Sequence, residues 1–279
     1  MRFVPVPSFT NSFNFRNMSI SVSVLGSGSR GNSTFVRTGG VRLLIDCGLG
    51  PRVLRKRLEA IGEGDTTIDA VLVTHEHRDH VGGLPSMLKS SSIEAYMTCG
   101  TIDGSRADSF QMNGSAIVPV VAGQTFAIGD VEVDAFSVPH DAKEPVAYSI
   151  RHNGVKVTQL TDLGWIPDEV SSAIAGSDIL IIESNHDLDM LRMGGYPWHL
   201  KERLIGRQGH LSNRAVASFL GGAYDGRAQH VVLAHLSSKN NHPAIATQEA
   251  RLALESRGLN ADSVSVASQA EPTATFELG

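Results

Sequence analysis

Cysteine is scarce in this chain: Cys47 and Cys99 are the only two in 279 residues. Two thiols make no disulfide framework, and both sit beside apolar runs, the pattern of reduced core thiols in a cytoplasmic protein. No stretch approaches the ~20 apolar residues of a membrane span, so no membrane partner is expected. A basic excess is also missing. With 24 Lys and Arg against 29 Asp and Glu the formal net charge is −5, so any attraction to a polyanion must be local. No linker, repeat or low-complexity segment interrupts the chain, and residues 18–279 read as one domain. Residues 1–17 lack any acid, and their apolar piece "FVPVP" is shorter than the ~7–15 residues of a signal-peptide core. A disordered extension ahead of Met18 is expected there.

Short Val- and Ile-rich runs bounded by Gly, Asn or Asp are plentiful. They cover 20–25, 34–38, 41–46, 70–74, 94–98, 131–138, 146–150, 155–160, 178–183 and 230–235, and they read as strands. Gly39-Gly40 and Asn153-Gly154 read as hairpin turns. Helical patterns are fewer: 51–62 from Pro51 to Gly62, 212–221 with Ser212 as N-cap and Gly221 as stop, and 243–258 from Pro243 to Gly258. Dense strands in both halves predict sheets packed on each other, with helices outside.

The segment "GSGSRG" (26–31) matches a dinucleotide-binding pattern and follows a strand. That motif must open a helix whose N-terminus holds the pyrophosphate. The residues that follow, "NSTFVRTGG", read as another strand and a turn, so the motif fails in context. Its glycines instead suit a tight loop approaching a site, with Ser27, Ser29 and Asn32 as candidate hydrogen-bond donors.

The chemistry concentrates in "THEHRDH" (74–80), directly behind the run "AVLV". His75, His77, Asp79 and His80 put four ligand-type residues at the end of a strand. A strand fixes its end and the loop beyond it projects side chains into a cleft. A single histidine is usually a surface or satisfied core residue; four such groups in six positions argue for a metal. Three further runs deliver a ligand-type residue to a strand end: His140, Asp162 and His235. Five histidines and two aspartates suffice for two ions. His152, His186, His199, His230 and His242 lack this placement and receive no metal role.

In this order the motifs resemble those of a metallo-β-lactamase-fold hydrolase. "IDCG" (45–48) is similar to that family's first motif, "HEHRDH" to its second, and His140, Asp162 and His235 to its third to fifth. The resemblance implies an α/β fold, a four-layer αββα sandwich with the site at one edge of the sheets. It implies one divalent ion on His75, His77 and His140, a second on Asp79, His80 and His235, and Asp162 between them. Asp46 would orient a ligand or its loop. Zn or Mn suits this donor set, with Mg also possible, and a hydroxide bridging the ions would be the nucleophile.

Other segments narrow the substrate. "GHLSNRAVASFL" (209–220) sets His210 and Ser212 at a helix start, a natural phosphate site. "AHLSSKNNHP" (234–243) places Ser237, Ser238, Lys239, Asn240 and Asn241 just past the last ligand. Ser212, Ser237, Asn240 and Asn241 are the expected phosphate contacts. In "ESNHD" (183–187) Glu183 either orients His210 or belongs to a helix-capping segment. With "LGSGSRGNS" and "TDLG", these segments resemble the YycJ/WalJ branch of the family, 5′→3′ exonucleases. That resemblance gives Asp79 a role in positioning or deprotonating the nucleophile and makes His210 the acid for the leaving oxygen. Only 21 residues separate His140 from Asp162, too few for the tRNA-gripping arm of ribonuclease Z, and only 72 separate Asp162 from His235, too few for the added domain of ribonuclease J.

The reading is a cytoplasmic two-metal phosphodiesterase, a 5′→3′ exonuclease on single-stranded DNA. A phosphodiesterase on a small cyclic phosphate, an RNA-directed nuclease and a non-catalytic binding module are the alternatives. Arg192, Lys201, Arg203, Arg207 and Arg214, against Glu202 alone, make 192–214 the expected basic path. The basic stretch 51–58 reads as a solvated helix face. Nothing in the sequence fixes the oligomeric state.

Overall fold

In the computed structural model, which describes residues 19–279, period-two alternation sorts side chains into layers. The N-terminal half contributes β1 (Ile20–Gly26), β2 (Ser33–Arg37), β3 (Arg42–Ile45), β4 (Ala70–Leu72), β5 (Glu94–Thr98) and β6 (Ala116–Val120). The C-terminal half contributes β7 (Thr125–Ile128), β8 (Val131–Ser137), β9 (Val146–His152), β10 (Val155–Leu160), β11 (Ile179–Glu183), β12 (His230–Ala234) and β13 (Val264–Val266). A last strand, β14 (Phe276–Leu278), returns to the first sheet.

The two seven-stranded sheets are ordered β14-β1-β2-β3-β4-β5-β6 and β7-β8-β9-β10-β11-β12-β13. Their pairings follow one pattern. In the first sheet β14 to β3 are antiparallel and β3 to β6 parallel. In the second, β7 to β10 are antiparallel and β10 to β13 parallel. Parallel neighbours need crossovers, and these carry most of the helices: α1 (Pro51–Ala60), α2 (Arg78–Val81), α3 (Leu84–Ser90), α4 (Cys99–Ser105), α5 (Asp168–Ile174), α6 (Leu188–Met193), α7 (Trp198–Ile205), α8 (Asn213–Leu220) and α9 (Pro243–Glu255).

Three buried apolar clusters fill the gaps between four layers. Leu43 and Ile45 of β3 face β-strand residues of the opposite sheet, among them Tyr148, Ile150 and Ile181. Leu44, between them, packs with Leu54 and Leu58 of α1. Likewise Ile179 and Ile181 face inward, while Leu180 and Ile182 pack with Val216, Leu220, Ala250 and Leu254 of α8 and α9. Each fully buried Leu or Ile contributes ~1.5–3 kcal/mol, so both faces of both sheets are held. This is the expected αββα sandwich.

All ten expected strands form. The four that the sequence pattern did not announce, β6, β7, β13 and β14, are the four sheet edges. Their burial is patchy and short, and β6 contains Pro119, which a central strand would exclude. The helices α2 to α7 were not expected either; at four to eight residues each they are too short to show a periodic face. Among the described residues no helix is long and apolar enough to cross a membrane. The extension expected over 1–17 lies outside the described residues.

Candidate metal centre

The first half supplies one interlocked set. β4 ends at Leu72 and α2 begins at Arg78, so 75–80 form a strand–loop–helix corner. Gly48 of "IDCG" sits so close to that corner that a Cβ would lie 1.7 Å from the Asp79 carbonyl oxygen, and only glycine fits. Asp46 adopts φ 62°, a left-handed conformation that costs a non-glycine residue ~1–2 kcal/mol. In return its carboxylate turns toward Thr74 and His80. The Thr74 amide donates to Asp46 Oδ1 over 2.8 Å, and the hydroxyl lies 3.0 Å from both carboxylate oxygens. His80 Nδ1 lies 2.8 Å from Asp46 Oδ2. A carboxylate only accepts, so the His80 proton sits on Nδ1 and Nε2 presents a lone pair. His75 Nδ1 meets the Thr74 hydroxyl at 3.0 Å, which turns its Nε2 away in the same manner.

The second half supplies the remainder. His140 Nδ1 donates to the Gly209 carbonyl over 3.2 Å, and its Nε2 lies 3.3 Å from His77 Nδ1. Asp162 and His235 stand just past β10 and β12 with φ of 62° and 55°. His235 Nδ1 lies 2.8 Å from Glu183 Oε1, and so does His210 Nδ1. Glu183, wholly buried at the end of β11, also accepts from the backbone N–H groups of Leu211 (2.9 Å) and Leu163 (3.3 Å). One carboxylate therefore orients two imidazoles.

Four overlapping groups bring ligand atoms within 4.8 Å of one another: His75, His77 and His140; Asp79, His80 and His235; His75, His80 and Asp162; and Asp162, Glu183, His210 and His235. The buried atoms His75 Nε2, His235 Nε2 and Asp162 Oδ2 have no hydrogen-bond partner. Orphaned lone pairs of this kind are costly in a protein interior and are what a cation would satisfy. Imidazole and carboxylate in this mixture fit a divalent transition metal.

The field agrees. Burial and the imidazoles of His80, His140 and His77 push His75 well below the ordinary histidine range, the neutral form a ligand needs. Burial would raise Asp79, but the imidazoles of His235 and His80, whose Nε2 atoms stand 3.5 and 3.6 Å from its Oδ2, outweigh it and hold the carboxyl far below the usual range. His235 would be lowered by burial, yet the carboxylates of Asp162, Asp79 and Glu183 around it raise it to about 10. His210 is likewise raised, Glu183 and Asp162 prevailing over burial. Buried carboxylates thus demand positive charge, from protons or from metal ions.

Not every expected contact is free to meet a substrate. Asn241 is a correction: its amide nitrogen donates to the Ser184 carbonyl (2.8 Å) and Asn213 Oδ1 (2.8 Å), and its oxygen accepts from Asn213 Nδ2 (2.9 Å). It ties "ESNHD", "GHLSN" and "HLSSKNN" together and has nothing left for a phosphate. Ser212 caps α8, its oxygen accepting from the Ala215 amide over 3.1 Å, and Ser237 accepts from the Asn240 amide over 3.2 Å. Asn240 is buried, and its Nδ2 has no partner. The basic path over 192–214 is also thinner than expected. Lys201 is buried with Nζ donating to the Arg192 carbonyl over 2.6 Å, and Arg203 is paired with Asp141.

Of the candidates in the glycine loop, Ser27 accepts from the His235 amide (2.7 Å) and Asn32 Nδ2 lies 3.2 Å from Asp79 Oδ2, while Ser29 is exposed. Thr74 and Asn185, whose Nδ2 donates to the His235 carbonyl over 2.8 Å, escaped the sequence reading. The signal for both was position, inside "THEH" and "ESNHD". Asp187 of the latter also caps α6, so that segment serves both roles considered for it.

A model of the β-lactamase superfamily domain matches residues 41–236. Exodeoxyribonuclease YycJ of Bacillus anthracis is 34% identical over 243 residues, 86% of this chain and 91% of the relative. Exodeoxyribonuclease WalJ of Streptococcus pneumoniae is 32% identical over 254 residues, with the same shares of 86% and 91%. Among solved structures, the metallo-β-lactamase fold protein YhfI from Bacillus subtilis superposes with a TM-score of 0.70 at 18% identity, over 93% of this chain and 100% of that one; at that identity the likeness speaks to the fold.

Proposed function

This chain belongs to the β-lactamase superfamily, and on that premise we propose that it is a two-metal phosphodiesterase that shortens single-stranded DNA from its 5′ end. The observation that carries the reading is the Glu183 carboxylate, 2.8 Å from both His210 and His235. It joins a candidate proton donor to a candidate ligand, an arrangement suited to breaking a P–O bond whose leaving oxygen needs a proton. The relatives named as exodeoxyribonucleases, similar over most of the chain, support the choice of DNA.

His75, His77 and His140 would hold one divalent ion, Asp79, His80 and His235 the other, with Asp162 reaching both; Zn or Mn suits the donors and Mg is the third candidate. When bound, such a pair supplies charge neutralisation at phosphoryl oxygens and lowers the pKa of a water. The protein's own groups do the rest. Asp46 and Thr74 hold His80 and His75 in the tautomers that expose Nε2. Asp79, kept ionised by its neighbours, would position the attacking water or take its proton. Glu183 accepts from His210 Nδ1 and, with Asp162, raises the affinity of this imidazole for a second proton, the one on Nε2 that would pass to the leaving oxygen. Ser212 at the start of α8, Ser237 and Asn240 remain the candidate phosphate donors.

The test is a substrate panel with metal-stripped protein reloaded with Zn, Mn or Mg. A 3′-labelled, 5′-phosphorylated single strand of DNA should shorten stepwise from the 5′ end, and RNA should be degraded more slowly. Intact DNA and RNA together with opening of a small cyclic phosphate would replace this reading.

A further inference from the structure

We infer that the strand is gripped by two aromatic–cation pairs flanking the metal centre: Trp165 with Arg207, and Tyr196 with Lys239. This rests on the nuclease reading and adds how the polymer is held. The Arg207 guanidinium carbon stands 4.3 Å from the Trp165 ring centroid, and Lys239 Nζ stands 5.5 Å from that of Tyr196. Trp165 is 39% exposed although it lies only three residues past Asp162.

Backbone contacts fix where the pairs stand. The Gly164 amide donates to the Pro139 carbonyl over 3.1 Å, and Asp141 N donates to Gln208 O over 3.1 Å. A Cβ on Gly164 would come within 2.4 Å of the Gly206 carbonyl oxygen. The first pair is thereby held beside His140. Lys239 lies four residues past His235. The neighbouring Asn240 carbonyl accepts from Asp187 N over 2.9 Å, and Asn240 Oδ1 abuts Gly194, two residues before Tyr196. The second pair is thereby held beside His235. His210 lies between those histidines, its ring centroid 5.3 Å from His140 and 5.2 Å from His235.

Chemistry selects the occupant. A ring offers a π face to any base, and a cation lying over the ring meets the adjacent phosphate, so each pair matches one nucleotide of a single strand. The general field cannot do this, since the chain is net acidic, and Lys201 and Arg203 are engaged internally. A duplex hides its base faces and a small cyclic phosphate has no second base, so two such pairs fit an unpaired polymer.

The chain has two tryptophans, so Trp198→Phe leaves Trp165 as the only indole. A phosphorothioate oligothymidylate of ~8 nucleotides and an abasic strand of equal length are titrated against this protein, loaded with metal. The thymidylate should quench Trp165 emission and the abasic strand should not. In anisotropy, Trp165→Ala and Tyr196→Ala should each weaken thymidylate binding roughly 5- to 150-fold and abasic binding by less than ~2-fold, while Trp165→Phe, which keeps a ring, stays near the parent. Absence of quenching, or equal losses on both strands, overturns the grip even where Trp165→Ala fails to fold. In a parallel assay, quenching without any shortening of ordinary thymidylate DNA overturns the nuclease reading instead.

Discussion

Asp46 and Asp162 occupy corresponding places in the two sheets, yet their carboxylates live differently. Each follows the fourth strand from the antiparallel edge, β3 in one sheet and β10 in the other, and each has φ 62°. Asp46 has both oxygens engaged by Thr74 and His80. Asp162 Oδ2 lies 3.3 Å from His80 Nε2 but makes no hydrogen bond, while its Oδ1 lies 3.3 Å from His235 Nδ1, a nitrogen already held by Glu183. The cause is the neighbouring strand. Beyond β4 the chain offers Thr74, a neutral donor that satisfies an acid. At the end of β11 it offers Glu183, a second acid that takes the imidazole protons for itself. Two buried carboxylates side by side call for external positive charge. The same backbone frame thus yields a satisfied carboxylate in one half and a candidate ligand in the other.

The strongest way to break this comparison is Asp162→Asn. Loss of the shared ligand should remove bound metal and cut turnover roughly 10⁴-fold or more, read by elemental analysis and kinetics on one preparation; a variant that kept two ions would end the distinction. His210→Ala should cost ~10²–10⁴ in turnover with both ions retained. A substrate with an activated leaving group should escape most of that loss, because it needs no proton. Asp46→Asn should weaken metal affinity by ~10–100-fold through its effect on His80, measured by competition with a chromophoric chelator. The smallest effect separates burial from ligation. His186 is buried with both ring nitrogens unpartnered, and burial lowers it from 6.5 to about 4. The unfolded chain takes up that proton near pH 6.5 and the folded one only near 4. The contribution to stability is therefore full above 6.5 and declines as pH falls toward 4. His186→Leu should recover about 2 kcal/mol of the loss between pH 7 and pH 5, seen by urea unfolding with chelator present.

The frame and the gathering of the candidate ligands were legible because they depend on local pattern. Val- and Ile-rich runs marked every central strand, and His75, His77, Asp79, His80, His140, Asp162 and His235 all follow the ends of such strands. Edge strands were not legible, since they are short and bury too few apolar side chains to stand out; β6 with Pro119 is the plainest case. Partnerships across the fold were hidden too. That Asn241 would be consumed by Ser184 and Asn213, or Lys201 by the Arg192 carbonyl, depends on where distant segments meet. Residue type suggested a phosphate contact at Asn241 and a cation at Lys201, and hydrogen-bond satisfaction in the interior engages both.

Urea unfolding of the parent, Asp46→Asn and Asp162→Asn, first in chelator and then with Zn, bears most directly on the difference between the two aspartates. In chelator Asp46→Asn should lose about 3–5 kcal/mol, because it breaks a buried pair with His80, and Asp162→Asn less than half as much. On adding Zn the parent should gain stability through binding to the folded state, and Asp162→Asn should gain the least. Equal losses in chelator, with the full Zn-dependent gain kept by Asp162→Asn, would contradict the assignment of Asp46 as support and Asp162 as open ligand.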